Sequence, residues 1–166
     1  MIDGKVVSDL LVAAGCPREK VNTLDQYYSC PDPAYIERLG KRYLDFLVSA
    51  RRPGEVALGG MEEAMDCDDF ALFAMFLAKL DHARYVRETI LPTPAAMESD
   101  PPQPTAIAFG MAAVDDTNVG PHAINFAIIA EGDKHVLHCY EPQRNPSVCL
   151  QEIPLSSVSA WLFAYC

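Results

Sequence analysis

Apolar positions change their period near the middle of this 166-residue chain. In "AYIERLGKRYLDFLVSA", residues 34–50, Ile36, Leu39, Tyr43, Phe46 and Leu47 recur at helical spacing, which predicts an amphipathic helix. "RRPGEVALGG" breaks it. From 66 to 80, "DCDDFALFAMFLAKL" is apolar on nearly every side and predicts a buried central helix. Asp66 suits its N-cap, and Asp69, three residues on, suits the return contact of a capping box. A shorter helix is expected over 8–14, ended by "GCP" at Gly15–Pro17. The second half reads differently. "ARYVRETILP", "PTAIAFGMAAV", "HAINFAIIAE", "KHVLHCYEP" and "SVCLQEIPL" are short runs with strand residues and alternation, separated by turn signals. "SSVSAWLFAYC" closes the chain as a short helix or strand packed by Trp161. Helices first and antiparallel strands second predict an α+β fold with a central helix on an antiparallel sheet, and not a doubly wound one. The length suits a single domain, 1–166, with a helical part over 1–60 and the central helix plus sheet over 66–166. Residues 92–104 hold five prolines in thirteen positions and are expected as an exposed flap or loop.

One hairpin is specific enough to register. In "PHAINFAIIAEGDKHVLHCYEPQ", Gly132–Asp133 forms the tip. If Glu131 pairs with Lys134, Ile128 faces Leu137, Phe126 faces Cys139, Ile124 faces Glu141 and His122 faces Gln143. Paired residues share one face of a sheet, so His122, Glu141 and Gln143 gather on one face at one end. A slip of one residue would send Glu141 to the opposite face.

That geometry gives a role to Cys67, the first residue after the Asp66 cap. Unpaired N–H groups and the helix dipole favour thiolate there, while Asp66, Asp68 and Asp69 oppose it, so a reactive Cys67 needs a positive partner. His122, with Glu141 or Gln143 accepting from one ring nitrogen and the other facing Cys67, is the oriented base such a nucleophile requires. Asn125, on the same strand, is a secondary candidate. In isolation a cysteine at a helix start is core filling, and a histidine after proline caps a strand.

Composition narrows the alternatives. A net charge of −10 argues against nucleic acid as a partner. No segment is long and apolar enough to span a bilayer, and the N-terminus lacks the form of a signal peptide, so a cytoplasmic protein is the expectation. The six cysteines then read as reduced thiols, mostly core fillers. Zinc is a poor fit, because His135 and Cys139 share a strand face from which His138 points away. No G-x-G-x-x-G, P-loop or G-x-S-x-G is present.

"MDCDDFALFAMFLAKL", followed by "HAINFAII" and "YEPQ", resembles the transglutaminase-like branch of the papain superfamily, nearest to the papain-like C-terminal domain of mushroom agglutinins. The match spans roughly residues 60–145. The resemblance implies a papain-like core and a cysteine peptidase or related thiol hydrolase cleaving amide bonds through a thioester. Cys67 maps to the nucleophile, His122 to the base and Glu141 to the orienting residue. It also implies a peptide or protein substrate; the sequence requires no cofactor, and the resemblance admits Ca²⁺ on Asp68 and Asp69 as an alternative to the favoured reading in which Asp66 and Asp69 cap the helix and Asp68 is solvated. Transamidation or deamidation on the same triad, or a noncatalytic binding or homodimerising module, are the alternatives. The chain departs from papain in lacking a Gln shortly before Cys67: "GGMEEAMDC" has none. The Cys67 N–H supplies one oxyanion donor, and Gln103 and Gln143 are candidates for the second.

Overall fold

A computed structural model describes residues 1–49, 66–90, 106–142 and 150–166 of the chain. The cysteine at 149, the flap expected over 92–104, and Gln103 and Gln143 lie outside the described residues.

The first helix, α1 (Gly4–Ala13), starts four residues earlier than the sequence predicts. Asp3, in extended conformation before it, accepts from Lys5 N at 2.7 Å and caps the turn, while Val7 and Leu11 bury one stripe. Helix α2 (Pro33–Ser49) follows the predicted span, with Asp32 accepting from Tyr35 N at 2.6 Å. Ile36, Leu39, Tyr43 and Leu47 face inward as expected, but Phe46 is 49% exposed and lies against Phe73 instead.

The central helix α3 (Cys67–Tyr85) outruns its predicted end at Leu80 and passes into a wider π turn over Val86–Ile90. The strand expected in "ARYVRETILP" is therefore helical through Ile90, the last of its described residues. The reason is the packing stripe: Ala78, His82 and Val86 recur every four residues and are all buried, so tertiary contacts override the β-branched residues.

Among the described residues nine strands form two sheets. Short β1 (Ile2–Asp3), β3 (Tyr27–Ser29) and β4 (Ala106–Ile107) make one. The larger runs in the order β2 (Val21–Asn22), β9 (Val158–Tyr165), β5 (Phe109–Asp116), β6 (Gly120–Glu131), β7 (Lys134–Glu141) and β8 (Gln151–Ile153). From β9 to β8 every pairing is antiparallel. The antiparallel sheet is present as expected, extended at its margin by β2, which joins β9 in parallel; in the smaller sheet β3 and β4 are also parallel. The closing segment is the strand alternative, with Trp161 buried. The fold is thus α+β, with strands in its first part that the helical reading of 1–60 did not include.

The β6–β7 hairpin has the predicted register, from Glu131↔Lys134 to Asn125↔Tyr140, and Gly132 at its tip has φ +63°. The larger sheet separates two apolar cores. On one face α2 and α3 pack over Phe109, Met111, Ala123, Ala127, Ile129 and Tyr140. On the other, α1 and the small sheet pack over Ala112, Val114, Ile124, Phe126, Ile128 and Cys139. Among the described residues no helix is long and apolar enough to cross a membrane.

Candidate active site

Cys67 is the first residue of α3, and its thiol is half-buried against the core that α3 shares with the sheet. The predicted capping box is present: Asp69 Oδ2 accepts from Asp66 N at 3.4 Å, and the Asp66 side chain accepts from Asp69 N; Phe70 N then donates to Asp66 O at 3.2 Å. Helical hydrogen bonds begin with that contact, so the Cys67 N–H is one of the donors the helix itself does not use.

His122 and Glu141 meet. His122 Nε2 lies 2.7 Å from Glu141 Oε2, with side-chain exposures of 14% and 5%. The register explains why. Cys139 lies in the α1-side core, and Glu141, two residues on, shares its face; Ile124 lies in that same core, and so does Val114, the β5 partner of His122. With Nε2 occupied by the carboxylate, Nδ1 is the nitrogen left for a second partner.

The other parity of β6 serves α3. Asn125 is fully buried and its Nδ2 donates to Ala71 O at 2.8 Å and to Gly110 O at 3.1 Å. At the far end of α3, Lys79, His82 and Ala83 line one cavity with Ala106 and Ile107, and the adjacent Ala108 accepts from Ile128 N. Helix and strand therefore run in the same sense, which brings Cys67 and His122 to the same end of the sheet. They belong to different faces of it: Ala123 and Asn125 face α3, while His122 alternates with Ile124. No hydrogen bond or ion pair joins Cys67 to His122 among the described residues.

The acidic residues at the start of α3 bond among themselves. Asp69 is engaged in the capping box, and Asp66 shares a hydrogen bond with Asp68 that lowers the Asp66 carboxyl and raises that of Asp68. Among the described residues no group of three His, Cys, Asp or Glu is placed to hold a metal ion. The other described cysteines, Cys16, Cys30, Cys139 and Cys166, are free thiols. Burial pushes each of them up, Cys139 and Cys166 to about 12.

One polar cluster was not visible in the sequence. His138 Nδ1 lies 2.7 Å from Glu152 Oε1, and its Nε2 3.0 Å from Glu131 Oε1. His138 thus clamps β8 to the β6–β7 hairpin. Finding it needed the β7–β8 pairing of Tyr140 with Glu152, which no short turn announces.

No family model matches the chain, and no curated protein matches it. Among solved structures, one described as "PSL1a-E64 complex" is similar, with a TM-score of 0.62 and 18% sequence identity. The likeness covers 99% of this chain and 50% of that one, so the chain spans half the length of its structural relative. At that identity the likeness is one of fold.

Proposed function

We propose that the chain is a cysteine peptidase or related thiol hydrolase with a papain-like core, acting on amide bonds through Cys67, His122 and Glu141. The observation that carries this reading is the 2.7 Å contact between His122 Nε2 and Glu141 Oε2, shielded from water at the end of the sheet nearest Cys67. A carboxylate there fixes the imidazole tautomer and stabilises the imidazolium, as an orienting acid does for a catalytic base. Two further features support it: the fold likeness to a chain held in complex with E64, a cysteine-protease inhibitor, and the sequence resemblance to the papain superfamily.

In the proposed reaction the Cys67 proton passes to His122 Nδ1 and the thiolate attacks the amide carbonyl carbon. His122 returns the proton to the departing amine as the C–N bond breaks. Water, deprotonated by the same nitrogen, then cleaves the thioester, giving the carboxylic acid and the free thiol. The Cys67 N–H supplies one donor to the oxyanion. No bond joins Cys67 and His122 among the described residues and they lie on different faces of the sheet, so the proton transfer requires the two to be brought together at its end when substrate binds.

The same lack of a bond is the observation that favours a noncatalytic module on this fold. Alkylation separates the readings. Iodoacetamide is reacted with the folded protein across pH, with peptide mass mapping. Rapid modification of Cys67 at pH 6, abolished by His122→Ala, together with an E64 adduct on Cys67 alone, is the expected result. A Cys67 that reacts no faster than a thiol of the unfolded chain, with or without E64, overturns the proposal. An added amine appearing in the product in place of water would assign a transglutaminase-type outcome to the same residues.

A further inference from the structure

A groove of about 450 Å³ lies between α2 and the β7–β8 edge of the sheet. Ile36, Leu44, Tyr140 and Leu150 form apolar walls, and Glu37 and Lys41 stand at its mouth. Its size and lining are those of a ligand site, a mostly apolar concavity with few polar groups.

Position connects it to the candidate active site. Gln151, also in the lining, is the cross-strand partner of Glu141, which holds His122. Tyr140 is the cross-strand partner of Asn125, which bonds Ala71 one turn into the helix that Cys67 begins. One strand pairing of about 5 Å and one helical turn of about 5 Å put the inner wall roughly 10–15 Å from Cys67. An extended peptide advances about 3.4 Å per residue, so that distance is three or four residues of substrate.

The walls also suit an extended chain. Within the described residues β8 is the outermost strand, paired on one side with β7, and its other edge offers backbone groups to an added strand. The His138 clamp holds Glu152, and with it β8, so this wall is formed before anything binds. The electrostatics select against acid: the lining carries Glu37 and Glu152 against Lys41 alone, and the chain has a net charge of −10.

We infer that this groove is a specificity site for peptide, taking a large apolar side chain of an extended, non-acidic segment three or four residues from the bond that is cleaved. The inference rests on the hydrolase reading above for its substrate, but its binding step is measured separately.

The full chain carrying Cys67→Ala, labelled with ¹⁵N, is titrated with three blocked pentapeptides: alanine throughout, alanine with a central Phe, and the Phe peptide flanked by Asp. The Phe peptide is expected to shift the amides of Gln151, Glu152 and Gly40 saturably, and to bind about tenfold or more tighter than either of the others. Leu44→Trp, which fills the groove, removes that binding. Glu37→Lys, an exposed change that leaves the core intact, raises the relative affinity of the Asp-flanked peptide. In parallel, the native chain is given a mixed peptide pool. Its cuts are expected to show an apolar residue three or four positions away, a preference lost in Leu44→Trp. Shifts elsewhere, or equal affinity for the Phe and alanine peptides, overturn the inference whatever Cys67 does. Groove binding by the Phe peptide with Cys67 inert at pH 6 overturns the hydrolase reading and leaves a peptide-binding groove.

Discussion

The Asn125 side chain on β6 donates to the carbonyl oxygen of Ala71 on α3 at 2.8 Å, from a position with no solvent exposure. The same nitrogen reaches Gly110 O on β5, so one amide ties three elements together a turn away from Cys67. Both partners are acceptors, which fixes the amide orientation. Asn125→Ala is expected to cost about 2–3 kcal/mol, because two buried carbonyls lose a donor. Asn125→Asp should cost more, since an oxygen would then face those carbonyls without water. Urea midpoints of the two variants check the order, and an equal or reversed order would remove the tie as an explanation.

Glu141→Gln keeps an oxygen near His122 but removes the charge. The fold should hold, with a thermal midpoint close to that of the native chain. Cys67 alkylation at pH 6 should fall about tenfold or more, and any amidase activity by up to about 10⁴-fold, as when an orienting carboxylate is made an amide. Native alkylation rates in the variant would leave the pair with a purely structural role.

The buried thiols give an internal control. With Cys139 and Cys166 pushed up to about 12 by burial, neither forms appreciable thiolate in the folded protein at pH 8. Both should resist iodoacetamide there and react when urea unfolds the chain, at the same denaturant concentration by mass mapping. Early modification of either at low urea would show that its side of the sheet opens locally.

Asp116 supplies a pH dependence. Burial pushes its carboxyl up, but hydrogen bonds from Asn118 N, Ser157 and Val119 N outweigh that and hold it below the usual value. A carboxylate lowered by folding stabilises above its unfolded pKa, and the gain is lost as pH falls through the folded value. Asp116→Asn should therefore destabilise by about 1 kcal/mol at pH 7, the usual worth of such a cap. The difference from the native chain should shrink as pH is lowered below about 4. A constant difference from pH 7 to pH 2 would sink this account.

Local signals in the sequence were enough for the hairpin and for what depends on it. Glycine at the tip and alternating apolar residues set the β6–β7 register, and the register alone puts Glu141 beside His122. The cap at Asp66 was legible for the same reason, since both its partners lie within four residues. Features that depend on distant packing were not. The end of α3 follows a stripe whose partners lie on other elements, so the β-branched residues of 86–90 misled. The parallel entry of β2 beside β9 joins opposite ends of the chain. Phe46 fits its helical period but packs outward onto Phe73, because α2 has α3 on one flank as well as the sheet below. The placement of His122 and Cys67 on different faces also required knowing which face α3 covers.

A strand that assigns its two faces to different tasks has a consequence for how this chain can change. Along β6, alternate positions secure the central helix and hold the imidazole. Substitutions at one set can accumulate without disturbing the other. A single inserted or deleted codon between 122 and 125 cannot be absorbed in that way, since it would present the imidazole to the helix or the amide to the opposite core. Drift by replacement is open to this strand, whereas drift in length is closed.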